Sequence, residues 1–151
     1  MEQDYTNICA GCRKRAHMTQ EQWAELLHVS VDTVKGWERN LRIPSNYQVC
    51  MMVSLCGEPW FAYKHLLQVS DCLGVLPDTE RKPLPVATIQ LVNRVIGFAD
   101  RCRDKQLLQI AEDGVIDAKE RTTYDEIVRE LNEIIAAAFC LRYAEAEHDG
   151  V

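Results

Sequence analysis

A chain of 151 residues, 47% of them hydrophobic, has room for one ordinary globular domain or two small ones. No apolar run approaches the length that spans a bilayer, and the polar, acidic start MEQDYTN is no secretory signal, so a cytoplasmic protein is expected. The net charge of −6 argues against general nucleic-acid affinity, but its distribution softens that exclusion. Residues 1–57 carry six Lys/Arg and six Asp/Glu, while residues 58–151 carry eleven and seventeen. A neutral N-terminal part can still bind a polyanion if its cations share a face, and the acidic remainder would then point away from it.

In chain order, Ile8 to Ala16 reads as a first helix, with Ile8 and Cys12 one turn apart and the basic run Arg13-Lys14-Arg15 behind them. Cys9 and Cys12 make a CxxC pair. A zinc or redox site would want a second pair at ligand spacing or a preceding strand, and neither is present in the pattern. At i and i+3 on a helix the two thiols simply share a face. The seven cysteines are odd in number and mostly lie within apolar helical patterns, which points to reduced thiols rather than a disulfide framework.

Thr19 opens a second helix, with Gln22 completing a capping box and Trp23, Leu26 and Leu27 falling at i, i+3 and i+4 beside Ala24. His28 and Val29 make the turn. Ser30 caps a third helix, Val31 to Arg39, with Val34 and Trp37 on one side and Asp32, Lys35 and Arg39 on the other. Asn40 stands just past its end, where a residue tolerant of the left-handed conformation is wanted, and Pro44 stops any continuation. Helix, tight turn and a second helix with a polar outer face is an arrangement that fits a DNA major groove.

These residues resemble the helix-turn-helix of the Cro/CI, or XRE, family of phage-repressor-like DNA-binding domains. The matching run is Thr19-Gln20, Ala24, Val29-Ser30, Thr33-Val34, Trp37-Glu38-Arg39 and Pro44-Ser45. Family members usually have Gly at the positions of His28 and Asn40. The resemblance covers about the first seventy residues and implies a five-helix domain. By position in the motif, Val31, Asp32, Thr33 and Gly36 would face the groove with Lys35 at its edge, reading bases. Gln20, Arg39, Asn40 and Arg42 would hold phosphates. Arg13 would pair with Glu38 and serve structure rather than recognition.

Ser45 caps a fourth helix to about Cys56, with Val49, Met52, Val53 and Cys56 inward and Gly57 as its end; Pro59 suits the first turn of a fifth, Trp60 to about Cys72. This closes an N-terminal domain, residues 1–73, with no obvious spare apolar surface. Residues 74–85 carry three prolines and no helical period, as a linker would. Val86 to about Glu112 is a long helical pattern whose apolar positions are Ile89, Val92, Val95, Ile96, Ala99, Cys102, Leu107 and Ile110, with Gly97 a possible kink. The stretch EDGVIDAKE fits half of a calcium-binding loop, but Gln109 and Ala111 stand where carboxylates should be. A structural reading covers it fully: Gly114 as helix terminator, Asp117 as N-cap, Glu120 as the matching acid.

The last helix, Ala118 to about Glu145, repeats Tyr124, Ile127, Leu131, Ile134, Ala138 and Leu141 at alternating three and four, the spacing of a coiled-coil seam. Residues 86–151 thus read as a C-terminal helical hairpin, with Ile127, Leu131, Ile134 and Leu141 as the candidate dimerisation residues. The expected fold is all-α. The expected function is a dimeric, repressor-type, sequence-specific transcriptional regulator whose partners are double-stranded DNA and a second copy. No catalytic constellation, metal set, cofactor or effector pocket is expected. The competing reading is a protein-interaction module that keeps the fold with little DNA affinity, and the neutral charge of residues 1–57 favours it.

Overall fold

The computed structural model describes residues 7–70 and 73–145. The chain is all-α and separates into two compact units, Met1–Val75 and Leu76–Val151. The first holds α1 (Ile8–Arg15), α2 (Gln20–Leu26), α3 (Val31–Glu38), α4 (Asn46–Cys56) and α5 (Trp60–Ser70); the second holds α6 (Leu84–Asp100), α7 (Arg103–Ile110) and α8 (Arg121–Arg142).

The N-terminal starts of α2, α3 and α4 follow from their caps. Thr19 Oγ1 accepts from Gln22 N and Gln22 Oε1 accepts from Thr19 N, a reciprocal pair repeated by Ser45 and Gln48 on α4. Ser30 Oγ accepts from Thr33 N on α3. The ends of α1, α2 and α3 share one device. A left-handed residue (His17, His28 and Asn40, φ 54–57°) turns the chain, and two backbone bonds close behind it. After α2, His28 N donates to Glu25 O and Val29 N to Ala24 O; after α3, Asn40 N donates to Trp37 O and Leu41 N to Gly36 O. His28, standing where the family usually has Gly, thus makes the turn in the conformation glycine would adopt.

The core of this unit joins Cys9, Cys12, Trp23, Ala24, Leu27, Val34, Trp37, Met52 and Phe61. Burying each large side chain contributes about 1.5–3 kcal/mol. The indole N–H of Trp23 is buried with no hydrogen-bond partner among the described residues, which costs about 1–3 kcal/mol against that gain. Both thiols of the CxxC pair point into this core. Burial pushes the Cys9 thiol up to about 12, while a hydrogen bond with Cys56, reinforced by burial, raises that of Cys12. No group of three or more metal-ligating side chains occurs among the described residues.

In the second unit α6 and α8 pack antiparallel, with α7 against both. Arg103 holds α8 from the start of α7, donating to Glu130 Oε1 (2.9 and 3.1 Å) and to Glu126 Oε2 (3.0 Å); Arg101 donates to Glu130 Oε2 (3.0 Å), and Arg94 pairs with Glu133. The end of the proline-rich stretch is tied to the C-terminal end of α8. Within the second unit, Arg81 Nε donates to Tyr143 O (2.9 Å), Glu145 N to Lys82 O (3.0 Å) and Leu84 N to Glu145 O (3.0 Å). A segment that cannot form helix satisfies its backbone against the C-terminal end of α8 instead.

Further expectations are corrected. The long helix breaks at Cys102 (φ 54°), not at Gly97, which continues α6. Gly114 is left-handed but lies beyond the Ala111 cap of α7, so it serves a later turn. Of the apolar positions of the long helical pattern, Ile89, Val92, Val95, Ile96 and Ala99 are exposed, while the side of α6 bearing Ala87, Leu91 and Phe98 packs. Asp117 Oδ1 accepts from Lys119 N (2.7 Å) and Glu120 N (2.9 Å), but these bonds close a turn ahead of α8, which starts at Arg121 rather than Ala118 and has no side-chain cap.

Candidate nucleic-acid interface

The geometry of α3 is set from beneath by Glu38. Its carboxylate accepts from Arg13 Nε (2.6 Å) and Arg13 Nη2 (3.0 Å) on α1, and from Gln20 Nε2 (2.7 Å) at the start of α2. Arg13 Nη1 also donates to Met18 O (2.9 Å), so one guanidinium ties α1, the α1–α2 turn and α3 together. Burial pushes the Glu38 carboxyl up, but the bonds from Arg13 and Gln20 outweigh it and hold it below the usual carboxylate range. The same bond raises Arg13 further. The clamp is ionised and bidentate, the strong class of side-chain hydrogen bond.

Asn7 adds a second tie that sequence reasoning missed. Its Oδ1 accepts from Ala10 N (2.9 Å) and caps α1, while its Nδ2 lies 3.0 Å from Trp37 O, 3.0 Å from Glu38 O and 2.9 Å from Asn40 Oδ1. The start of α1 thereby caps the end of α3. The signal available was an N-cap-type residue one position before the first helix, which gives the first role and not the second.

On this frame the nine expected DNA-contact residues divide. Asp32, Lys35, Arg39 and Arg42 are exposed, and none is ion-paired among the described residues. Asn40 is exposed, with its side-chain oxygen taken by Asn7 and its amide N–H groups outward. Val31 is half-buried against the core, and the hydroxyl of Thr33 is 2.8 Å from that of Ser30. Gln20 is half-buried and held by Glu38. Gly36 is buried rather than open, because the Arg42 side chain lies over it; a Cβ there would meet Arg42 Cδ at 3.5 Å. In the other unit, the seam residue Ile127 is fully buried within its own fold, while Leu131, Ile134 and Leu141 are half-buried.

The expectation of no spare apolar surface is also corrected. Leu41 (74% exposed), Ile43 (62%) and Tyr47 (73%) follow α3 and border Arg39 and Arg42. Met18 and Val29 hold the position of Leu41 in the two preceding turns, and both pack on the core. Leu41 does not.

A family model described as Helix-turn-helix matches residues 12–59, a span from within α1 to the residue before α5. Residues 12–59 are a helix-turn-helix domain of the Cro/CI (XRE) type. Neither the curated proteins nor the solved structures give a match. A domain of this type marks a DNA-binding regulator. No helix among the described residues is long and apolar enough to cross a membrane.

Proposed function

We propose that this helix-turn-helix protein is a sequence-specific transcriptional regulator of the repressor type, acting in the cytoplasm as a dimer on paired half-sites. The observation carrying it is that Asp32, Lys35, Arg39 and Arg42 stand exposed, with no ion pair among the described residues, on and after a helix that Arg13 and Asn7 fix from below. Fixing the helix and leaving its outer charges exposed suits a surface that completes its pairing on a ligand. Asp32 accepts from a cytosine amino group, Thr33 serves either base, and Val31 meets a thymine methyl, with Lys35 at the groove edge. Arg39, Arg42 and the Asn40 amide, held outward by Asn7, take phosphates, and Gln20 adds the N–H that Glu38 leaves over. Gly36 acts by making room for Arg42 across the helix. Two heads are needed because one offers too few base contacts for useful specificity.

Selection of bound sequences from a random duplex pool tests this. A palindromic motif is expected, and failure to enrich any sequence refutes the reading. The second reading, a protein-interaction module, draws on the exposed Leu41, Ile43 and Tyr47 and on the neutral charge of residues 1–57. It predicts an empty selection.

A further inference from the structure

Helix α6 belongs to the second unit, outside the helix-turn-helix domain of residues 12–59. Pro85, Ile89, Val92, Ile96 and Ala99 recur along the outward side of α6 at alternating four and three residues, the a/d spacing of a helix seam, and all five are exposed. Ile89 is 61% exposed, Val92 46% and Ile96 52%, with Val86 and Val95 flanking them at about half. The opposite side of the same helix packs through Ala87, Leu91 and Phe98, so α6 is apolar on two sides while only one is covered. Its single charge between Leu84 and Ala99 is Arg94, and that is paired with Glu133 on α8.

A solvated helix face ordinarily carries charge. This one carries none and leaves on the order of 500 Å² of apolar side chain in water, near the top of the range for a patch on a monomer and approaching one side of a standard interface. We propose that α6 is the self-association surface, its outward seam packing on α6 of a second copy of this chain. A two-fold contact sets each patch against its own copy, so any charge near the axis would meet its like. A face with no formal charge escapes that penalty. A DNA or acidic partner would instead ask for cations, which are missing here. The heptad-like spacing suits two helices crossing at a shallow angle, and β-branched Ile and Val fill such seams well. This deepens the proposed function and for its purpose rests on it, since it supplies the pairing of heads. It also moves the pairing surface from α8, whose Ile127 serves the unit's own core, to α6.

The test uses the full chain without DNA. Light scattering at micromolar concentration should give twice the chain mass of 17.3 kDa. The double variant Val92→Glu/Ile96→Glu should give the single mass with an unchanged helical circular dichroism spectrum. In the wild-type chain, hydrogen exchange across residues 84–99 should accelerate on dilution to nanomolar concentration. A monomeric wild-type chain, a variant that stays dimeric, or exchange independent of concentration would each overturn the proposal. A dimer that selects no DNA sequence refutes the DNA-binding reading alone; a monomer that selects one refutes the α6 pairing alone.

Discussion

The side-chain amide of Asn7 reaches 2.9 Å to the side-chain oxygen of Asn40, joining the residue that starts α1 to the residue that ends α3. Because the same amide also meets Trp37 O and Glu38 O, it serves carbonyls that the helix end would otherwise leave to water. Asn7→Ala removes both roles and should cost about 1–2 kcal/mol, the upper range for loss of a cap. Asn7→Asp keeps the acceptor for Ala10 N but sets a negative charge on the carbonyl end of α3, so it should recover little. Thermal melts followed by tryptophan fluorescence read this unit alone, since Trp23, Trp37 and Trp60 all lie in it. A neutral Asn7→Ala would show that the three contacts to α3 do not stabilise the fold.

His28 occupies a left-handed position that glycine takes without strain. An L-residue there costs about 1–2 kcal/mol, partly offset by the extra freedom glycine has when unfolded. His28→Gly should therefore stabilise the fold by roughly 1 kcal/mol and raise the melting temperature by several degrees. Asn40→Gly should gain less, because Asn tolerates the conformation better and the substitution removes the Asn7 contact. Equal gains at the two sites would mean that the Asn7–Asn40 bond contributes nothing.

What was legible in the sequence was mostly punctuation. Thr19 with Gln22, Ser30, Ser45 and Gly57 mark helix ends through contacts within four residues, and such short-range chemistry is readable. The outer charges of α3 were legible for the same reason, since helical period assigns them a side. Gly36 was not, because its burial depends on where a side chain six residues later lies. The second role of Asn7 was hidden by a separation of about thirty residues. Period was ambiguous on α6: a helix apolar on two sides gives no sign of which side its neighbours will take, and the packed side is the one with Ala87 and Phe98.

Acid should weaken the N-terminal unit in two steps. Burial lowers the His65 imidazole, which is neutral in the fold and bonded to Asn46 Oδ1 at 2.9 Å. The unfolded chain then binds the extra proton first, so stability falls as pH drops below about 6.5. Glu38 is held low, so its contribution is complete above about 4.3 and is lost only as pH falls from there through its folded value. His65→Gln should flatten the first limb and leave the second, while Glu38→Gln should do the reverse at a lower overall stability. Denaturant midpoints between pH 7 and 3 check both. A His65→Gln variant that keeps its slope between pH 6.5 and 5 would assign that limb to another group.

Recognition should separate by residue. Asp32 is exposed on α3 with no ion pair among the described residues, so Asp32→Ala leaves the fold intact. On the preferred site it should cost roughly 1–3 kcal/mol and change the selected motif. Arg42 lies across Gly36 and reaches beyond the helix end, where a cation meets the DNA backbone rather than a base edge. Arg42→Ala should weaken all sequences about equally and reduce the salt slope by about one. Gly36→Ala separates the two behaviours. Its Cβ meets Arg42 Cδ at 3.5 Å, an ordinary contact, and alanine is favoured over glycine in a helix by up to about 1 kcal/mol. That variant should be more stable and select the wild-type motif, because Arg42 already covers the position. A changed motif in Gly36→Ala would mean that α3 meets the bases at Gly36 itself and that Arg42 swings away on binding.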